Sequence, residues 1–217
     1  MQRARFVTRV LKPAIWLGAL VPAARLAWGA WTGDLGDEPV ETIQRTTGLS
    51  TLVLLLCTLA VTPLRRISGV AELIRVRRLL GLFAFFYASL HAFSYFVFDQ
   101  ALSASEIARD VVKHPWVTVG FTAFVLLVPL AVTSTNGWIR RLGGRRWARL
   151  HRLIYPVAVL GVLHFLWLVK KDHREPLLYG ALLLTLFALR LLVRRPMVKR
   201  SSRRVQAPDL PAARAES

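Results

Sequence analysis

Two histidines stand where an ionisable side chain is costly: His91 within LLGLFAFFYASLHAFSYFVF (79–98) and His164 within LIYPVAVLGVLHFLWLV (153–169). Neither run holds a carboxylate or a lysine to pair with the ring, so each imidazole is expected to be neutral and free to use a nitrogen as a ligand. At about 1.5 Å per residue both runs are long enough to cross a hydrocarbon core of roughly 30 Å. Counted from the end near Phe98, His91 lies about seven residues or roughly 10 Å deep; counted from Lys170, His164 lies about six residues or roughly 9 Å deep. Two neutral imidazoles at one depth on facing helices are the axial pair of a low-spin, electron-transferring haem. The bland alternative is a hydrogen bond from each ring to a neighbouring carbonyl or hydroxyl such as Ser94. Matched depth favours ligation.

Gly81, Ala84 and Ala88 precede His91 at helical spacing, and Gly161 lies one turn before His164. They leave room for a flat cofactor, or equally for close helix packing. A third histidine, His151, opens the fifth apolar run thirteen residues before His164, about 20 Å along a helix axis and about 140° around it. Pro156 between them is expected to disturb the winding. A second redox site across the membrane would use His151, but the matching positions before His91 are Arg77 and Arg78 rather than a histidine. Arg77, Arg78 and Arg149 suit a haem propionate or a flavin phosphate. They equally suit a role in setting topology. His114 and His173 lie among charged residues and are expected to be solvated.

These residues need a frame, and composition supplies it. In 217 residues, 54% are hydrophobic while the formal net charge is +18. Six apolar runs, 15–31, 48–64, 79–98, 115–133, 153–169 and 177–193, predict an all-α, six-helix transmembrane bundle with no soluble domain attached. Arginines and lysines gather before the first run, between the second and third, between the fourth and fifth, and after the sixth. The alternate connections carry Asp34, Asp37, Glu38, Glu41, Asp99, Glu106 and Asp110 against few cations. By the bias of basic residues toward the cytoplasm, both termini are expected there. The first run, though signal-like, is expected to be retained.

Basic blocks at span ends, rather than on one soluble face, speak for contact with anionic lipid headgroups and against nucleic acid. Arg190, near the end of the last run, is expected to snorkel, and the seven tryptophans to anchor span ends. Cys57 is alone within the second run, which excludes an intramolecular disulfide, and reads as a packing residue. Gly143 and Gly144 lack the preceding strand and the spacing of a dinucleotide-binding loop. The chain divides into a basic arm (1–14), the transmembrane domain (15–193) and a basic tail (194–217), disordered over 201–217.

Several segments together, GDLGDEPV with IQRTTG, TPLRR, IRVRRLLGL followed by ASLHAFSY, LAVTSTNGWIRRLGGRRWARLHRLIYPVAVLGVLHFLWLVK and PLLYG, resemble the ferric-reductase-like transmembrane proteins. Within that family the resemblance is to the haem-binding membrane subunits of periplasmic methionine sulfoxide reductase systems. It implies b-type haem held between the third and fifth helices, with His91 and His164 as axial ligands and His151 as a further haem-site residue. It also implies FMN, without residues to assign. The family's paired histidines for two stacked haems are broken here at Arg77 or Arg78. The implied function is to pass electrons from the quinone pool, or from a separate cytoplasmic flavin reductase, across the bacterial inner membrane. The implied acceptor is a periplasmic molybdopterin subunit that repairs methionine sulfoxide. A stand-alone ferric or quinone reductase is the nearest alternative. A small transporter is another, for which broken helices or an internal repeat would be expected.

Overall fold

A computed structural model describes residues 5–193, all helix and short connections. Eight α-helices are α1 (Lys12–Thr32), α2 (Pro39–Ser68), α3 (Ile74–Ser94), α4 (Ala104–Lys113), α5 (Pro115–Val132), α6 (Asn136–Leu150), α7 (Ile154–Leu168) and α8 (Arg174–Leu192). Six helical segments, those containing α1, α2, α3, α5, α7 and α8, are long and apolar enough to cross a membrane. Short π-helical turns precede α1 (Val7–Leu11) and extend α3 (Tyr95–Asp99), and 3₁₀ turns precede α3 (Ala71–Leu73) and α7 (His151–Leu153).

The site is positioned by two helix pairs, α2 along α3 and α5 along α7, with α3 against α5 and α8 closing on α2 and α7. Leu52, Leu55, Leu56, Leu59, Ala84, Ala88, Leu127, Val157 and Ala158 form the buried seam between them. Small residues at Ala84 and Ala88 let α3 approach closely, as burial to 0% and 8% exposure requires. Gly81 and Gly161 serve the same packing, facing Thr58 and Leu52. They are therefore explained by helix contact. Cys57, expected to pack inside, is exposed on α2.

α1 is peripheral: its most apolar stretch is 6% buried, against 50% for α2. One buried side chain ties it down. Tyr87 of α3 donates its hydroxyl to the Ala19 carbonyl (2.5 Å) and accepts from the Ala23 N–H (3.1 Å), inserting into the α1 hydrogen-bond ladder beside Pro22.

Two segments read as loops are helices. Ser103 caps α4 by accepting from the Glu106 N–H, so Ser103 and Glu106 have the spacing of a capping box. Thr135 caps α6 through the Trp138 N–H, and Gly143 kinks that helix with φ 72°. The basic residues of α6 and those flanking α2 and α3 collect at one end of the bundle, called here the basic end. Arg190 does not simply snorkel: its guanidinium bonds the Thr62 hydroxyl (3.1 Å) and lies 4.9 Å from the Tyr155 ring centroid. The predicted tail, 194–217, lies outside the described residues.

Candidate functional site

The packing of α3 and α7 around α2 and α5 brings His91 and His164 together, with ring centroids 6.1 Å apart and planes at 77°. Both rings are partly buried. Each is held through the same atom. Nδ1 of His91 lies 3.0 Å from the Gln44 carbonyl oxygen, with the Thr47 hydroxyl at 3.4 Å, and Nδ1 of His164 lies 2.7 Å from the Trp116 carbonyl oxygen. A carbonyl can only accept, so Nδ1 carries the proton and the Nε2 lone pair of each neutral ring is available to a metal. A backbone bond that fixes tautomer and orientation is the usual support of a metal-ligating imidazole.

The two supports are built alike. The residue four positions after each accepting carbonyl is a glycine: Gln44 with Gly48 on α2, Trp116 with Gly120 on α5. Helix side chains lean toward the N-terminus, so a side chain at that position would cover the carbonyl one turn before it. A Cβ on Gly48 would stand 3.2 Å from Cε1 of His91, and a Cβ on Gly120 only 2.7 Å from Nδ1 of His164. Glycine is what lets each ring lie on its neighbour helix and reach the carbonyl.

The spacing fits one metal between the rings. Two imidazoles bound through Nε2 at about 2.0–2.1 Å on opposite sides of a metal have centroids about 6 Å apart. Among the described residues no group of three or more His, Cys, Asp or Glu could hold an ion by itself. A two-nitrogen set therefore suits a metal whose remaining positions are filled by a macrocycle, as in haem.

His151 is surrounded differently. Its Nε2 is 3.0 Å from the Thr133 hydroxyl, and its ring stacks on Trp147 with centroids 4.0 Å apart at 28°. Trp147 in turn donates its indole N–H to the Thr133 carbonyl (2.9 Å), so this tryptophan positions His151 rather than serving only as an anchor. Arg77 is close enough to act on His151 electrostatically. Arg78 points elsewhere, bonding Asn136 at 3.3 Å, and the exposed Arg149 side chain makes no hydrogen bond or ion pair among the described residues. Among the described residues no second histidine joins His151. Pro156 is the third residue of α7, and the carbonyl its missing N–H would have bonded, that of Arg152, lies in the 3₁₀ turn His151–Leu153, where the winding changes between His151 and His164.

Sequence reasoning missed the carbonyls of Gln44 and Trp116, the glycines beneath the rings, and the Thr133–Trp147 clasp. It also took His114 as solvated, whereas Nδ1 of His114 is 2.6 Å from Asp110 and its ring packs on Trp116. His173 is exposed, as expected.

Six helices long and apolar enough to span, around a pair of supported imidazoles, define a multi-pass membrane protein with two neighbouring histidines within its spans. Residues 47–162, which hold His91 and His151 and end two residues before His164, match the ferric reductase like transmembrane component family. The chain is 51% identical over 187 residues (85% of this chain, 84% of the relative) to the protein-methionine-sulfoxide reductase heme-binding subunit MsrQ of Herminiimonas arsenicoxydans. It is 50% identical to the MsrQ of Xanthomonas campestris pv. campestris (strain 8004) over 203 residues, 91% of this chain and 92% of that one. The chain thus belongs to the ferric-reductase-like transmembrane family, in the group that holds these MsrQ subunits.

Proposed function

We propose that this chain is the haem-bearing electron-transfer subunit of a protein-methionine-sulfoxide reductase system in a bacterial inner membrane. The observation that carries this reading is the His91–His164 pair at 6.1 Å, each ring held by a main-chain carbonyl over a glycine. The names of the relatives supply the system, and the resemblance of the sequence supplies the rest: electrons from the quinone pool, delivered to a periplasmic molybdopterin subunit. Residues 15–193 form the functional unit, with both termini in the cytoplasm, so that His91 and His164 lie toward the periplasm and His151 with Arg77, Arg78 and Arg149 toward the donor. FMN, implied by the same resemblance, has no residue here that we assign to it.

Bound haem would supply a one-electron ferric/ferrous couple. The protein's part is to hold both imidazoles neutral and fixed, so that neither ligand rearranges as charge changes, and to bury the pair among helices that exclude water. Oxidation of a quinol releases two electrons and two protons; return of a sulfoxide to a thioether and water takes up two of each. His151, in van der Waals contact with Trp147 and within the field of Arg77, lies on the side where the donor arrives.

The test is the absorption spectrum of the purified chain. It should show a low-spin b-type haem, lost in His91→Ala and in His164→Ala while both variants still insert. Normal haem content with an unchanged spectrum in either variant overturns the assignment. Reduction of ferric chelates by quinol without any periplasmic partner, at the rate of sulfoxide repair with it, would instead make the chain a stand-alone reductase.

A further inference from the structure

Asp110, on α4, is a carboxylate only 20% exposed and shared between two helices of the candidate site. One oxygen accepts from the Tyr95 hydroxyl (2.6 Å) and from Gln100 Nε2 (3.3 Å); the other faces Nδ1 of His114 at 2.6 Å. Tyr95 begins the π-helical turn one turn beyond His91 on α3. His114 caps α5 two residues before Trp116, whose carbonyl holds His164, and its ring packs against Trp116 with centroids 4.7 Å apart. A single charged acceptor thus grips the end of the helix that carries one imidazole and the start of the helix that supports the other. Charge-assisted bonds this short are the strong and directional kind. The π turn needs such a hold because its wider winding is less stable than the α-helix it extends. Arg109, the cation next to Asp110 in the chain, is paired with Glu106 instead, so the Asp110 contacts are those to Tyr95, Gln100 and His114.

We propose that Asp110 is a positioning residue: through Tyr95 and His114 it sets the distance between α3 and α5, and thereby keeps His91 and His164 both within reach of one metal. It does not touch the metal. The inference rests on the haem reading above, and its effect is on how firmly the second axial ligand is held.

Carbon monoxide binding to the reduced, full-length protein in nanodiscs reads this directly, because a six-coordinate iron excludes the gas until one ligand leaves. Asp110→Ala should retain haem while its CO-reactive fraction rises roughly tenfold, the scale of a lost outer support. Asp110→Asn, which keeps one acceptor oxygen, should fall between that variant and wild type. Tyr95→Phe and His114→Ala should each give part of the effect, and adding Asp110→Ala to that pair should add nothing further. Equal CO reactivity in wild type and Asp110→Ala at equal haem content overturns the proposal, as does full additivity with the pair. If Asp110→Ala fails to insert, unchanged CO reactivity in both Asp110→Asn and the Tyr95→Phe/His114→Ala pair overturns it equally. Wild type without haem would remove the underlying reading as well, whereas haem-replete wild type beside unchanged variants removes this inference alone.

Discussion

The two ends of the bundle hold histidines in opposite ways. At the end away from the arginines, His91 and His164 come from α3 and α7, meet at 6.1 Å, and are each fixed through Nδ1 by a carbonyl of a third and fourth helix. At the basic end, His151 stands without a second histidine, with Nε2 engaged by Thr133 and one face covered by Trp147. The first arrangement holds two neighbouring rings through Nδ1; the second holds one ring through Nε2, against a tryptophan. The difference teaches that histidines in apolar spans can be held in two ways, by a main-chain carbonyl through Nδ1 or by a hydroxyl through Nε2.

The comparison is sharpened most by filling the glycines. Gly120→Ala places a methyl 2.7 Å from Nδ1 of His164, a distance at which something must move, and should lower haem retention about 10–100-fold. Gly48→Ala, at 3.2 Å from a ring carbon of His91, should cost only about a few-fold, with haem-to-protein ratio after gel filtration as the measurement. A smaller change is expected at the basic end. His151→Ala, or Arg77 and Arg78 replaced together by Gln, should slow quinol-driven haem reduction by roughly tenfold while leaving haem content near wild type, compared at equal amounts of inserted protein. Donor-driven reduction at the wild-type rate would give these residues a role in topology only. Smallest is Trp147→Phe, which removes the indole bond to Thr133 and should destabilise the basic end by about 0.5–1.5 kcal/mol, read by thermal unfolding, with the haem spectrum unmoved.

Much of the frame was legible because spans and depth follow from simple arithmetic. Apolar run length placed six helices, and the fixed rise per residue put His91 and His164 level before any contact was known. The supports were not legible for the complementary reason. Which carbonyl faces a ring depends on helix rotation and crossing, so Gly48 and Gly120 read as ordinary small residues in apolar runs. Their signal was their placement on the second and fourth spans near the ends that the histidines approach. Gly81 and Gly161 drew attention because they lie on the histidine helices, yet they face Thr58 and Leu52. α4 was readable from Ser103 and Glu106 and was passed over because its charges look like those of a loop. Arg190 shows the limit of a default: near a span end snorkelling is cheap, but Thr62 and Tyr155 offered the guanidinium a bond and a ring.

The central claim is that one haem iron takes its two axial nitrogens from His91 and His164. Near-infrared magnetic circular dichroism of the oxidised, purified protein identifies the axial pair of a low-spin haem. The account predicts a bis-imidazole band in wild type that survives in His151→Ala and is lost in His91→Ala and in His164→Ala. A bis-imidazole band that persists without His91 or His164, or that disappears with His151, would contradict it.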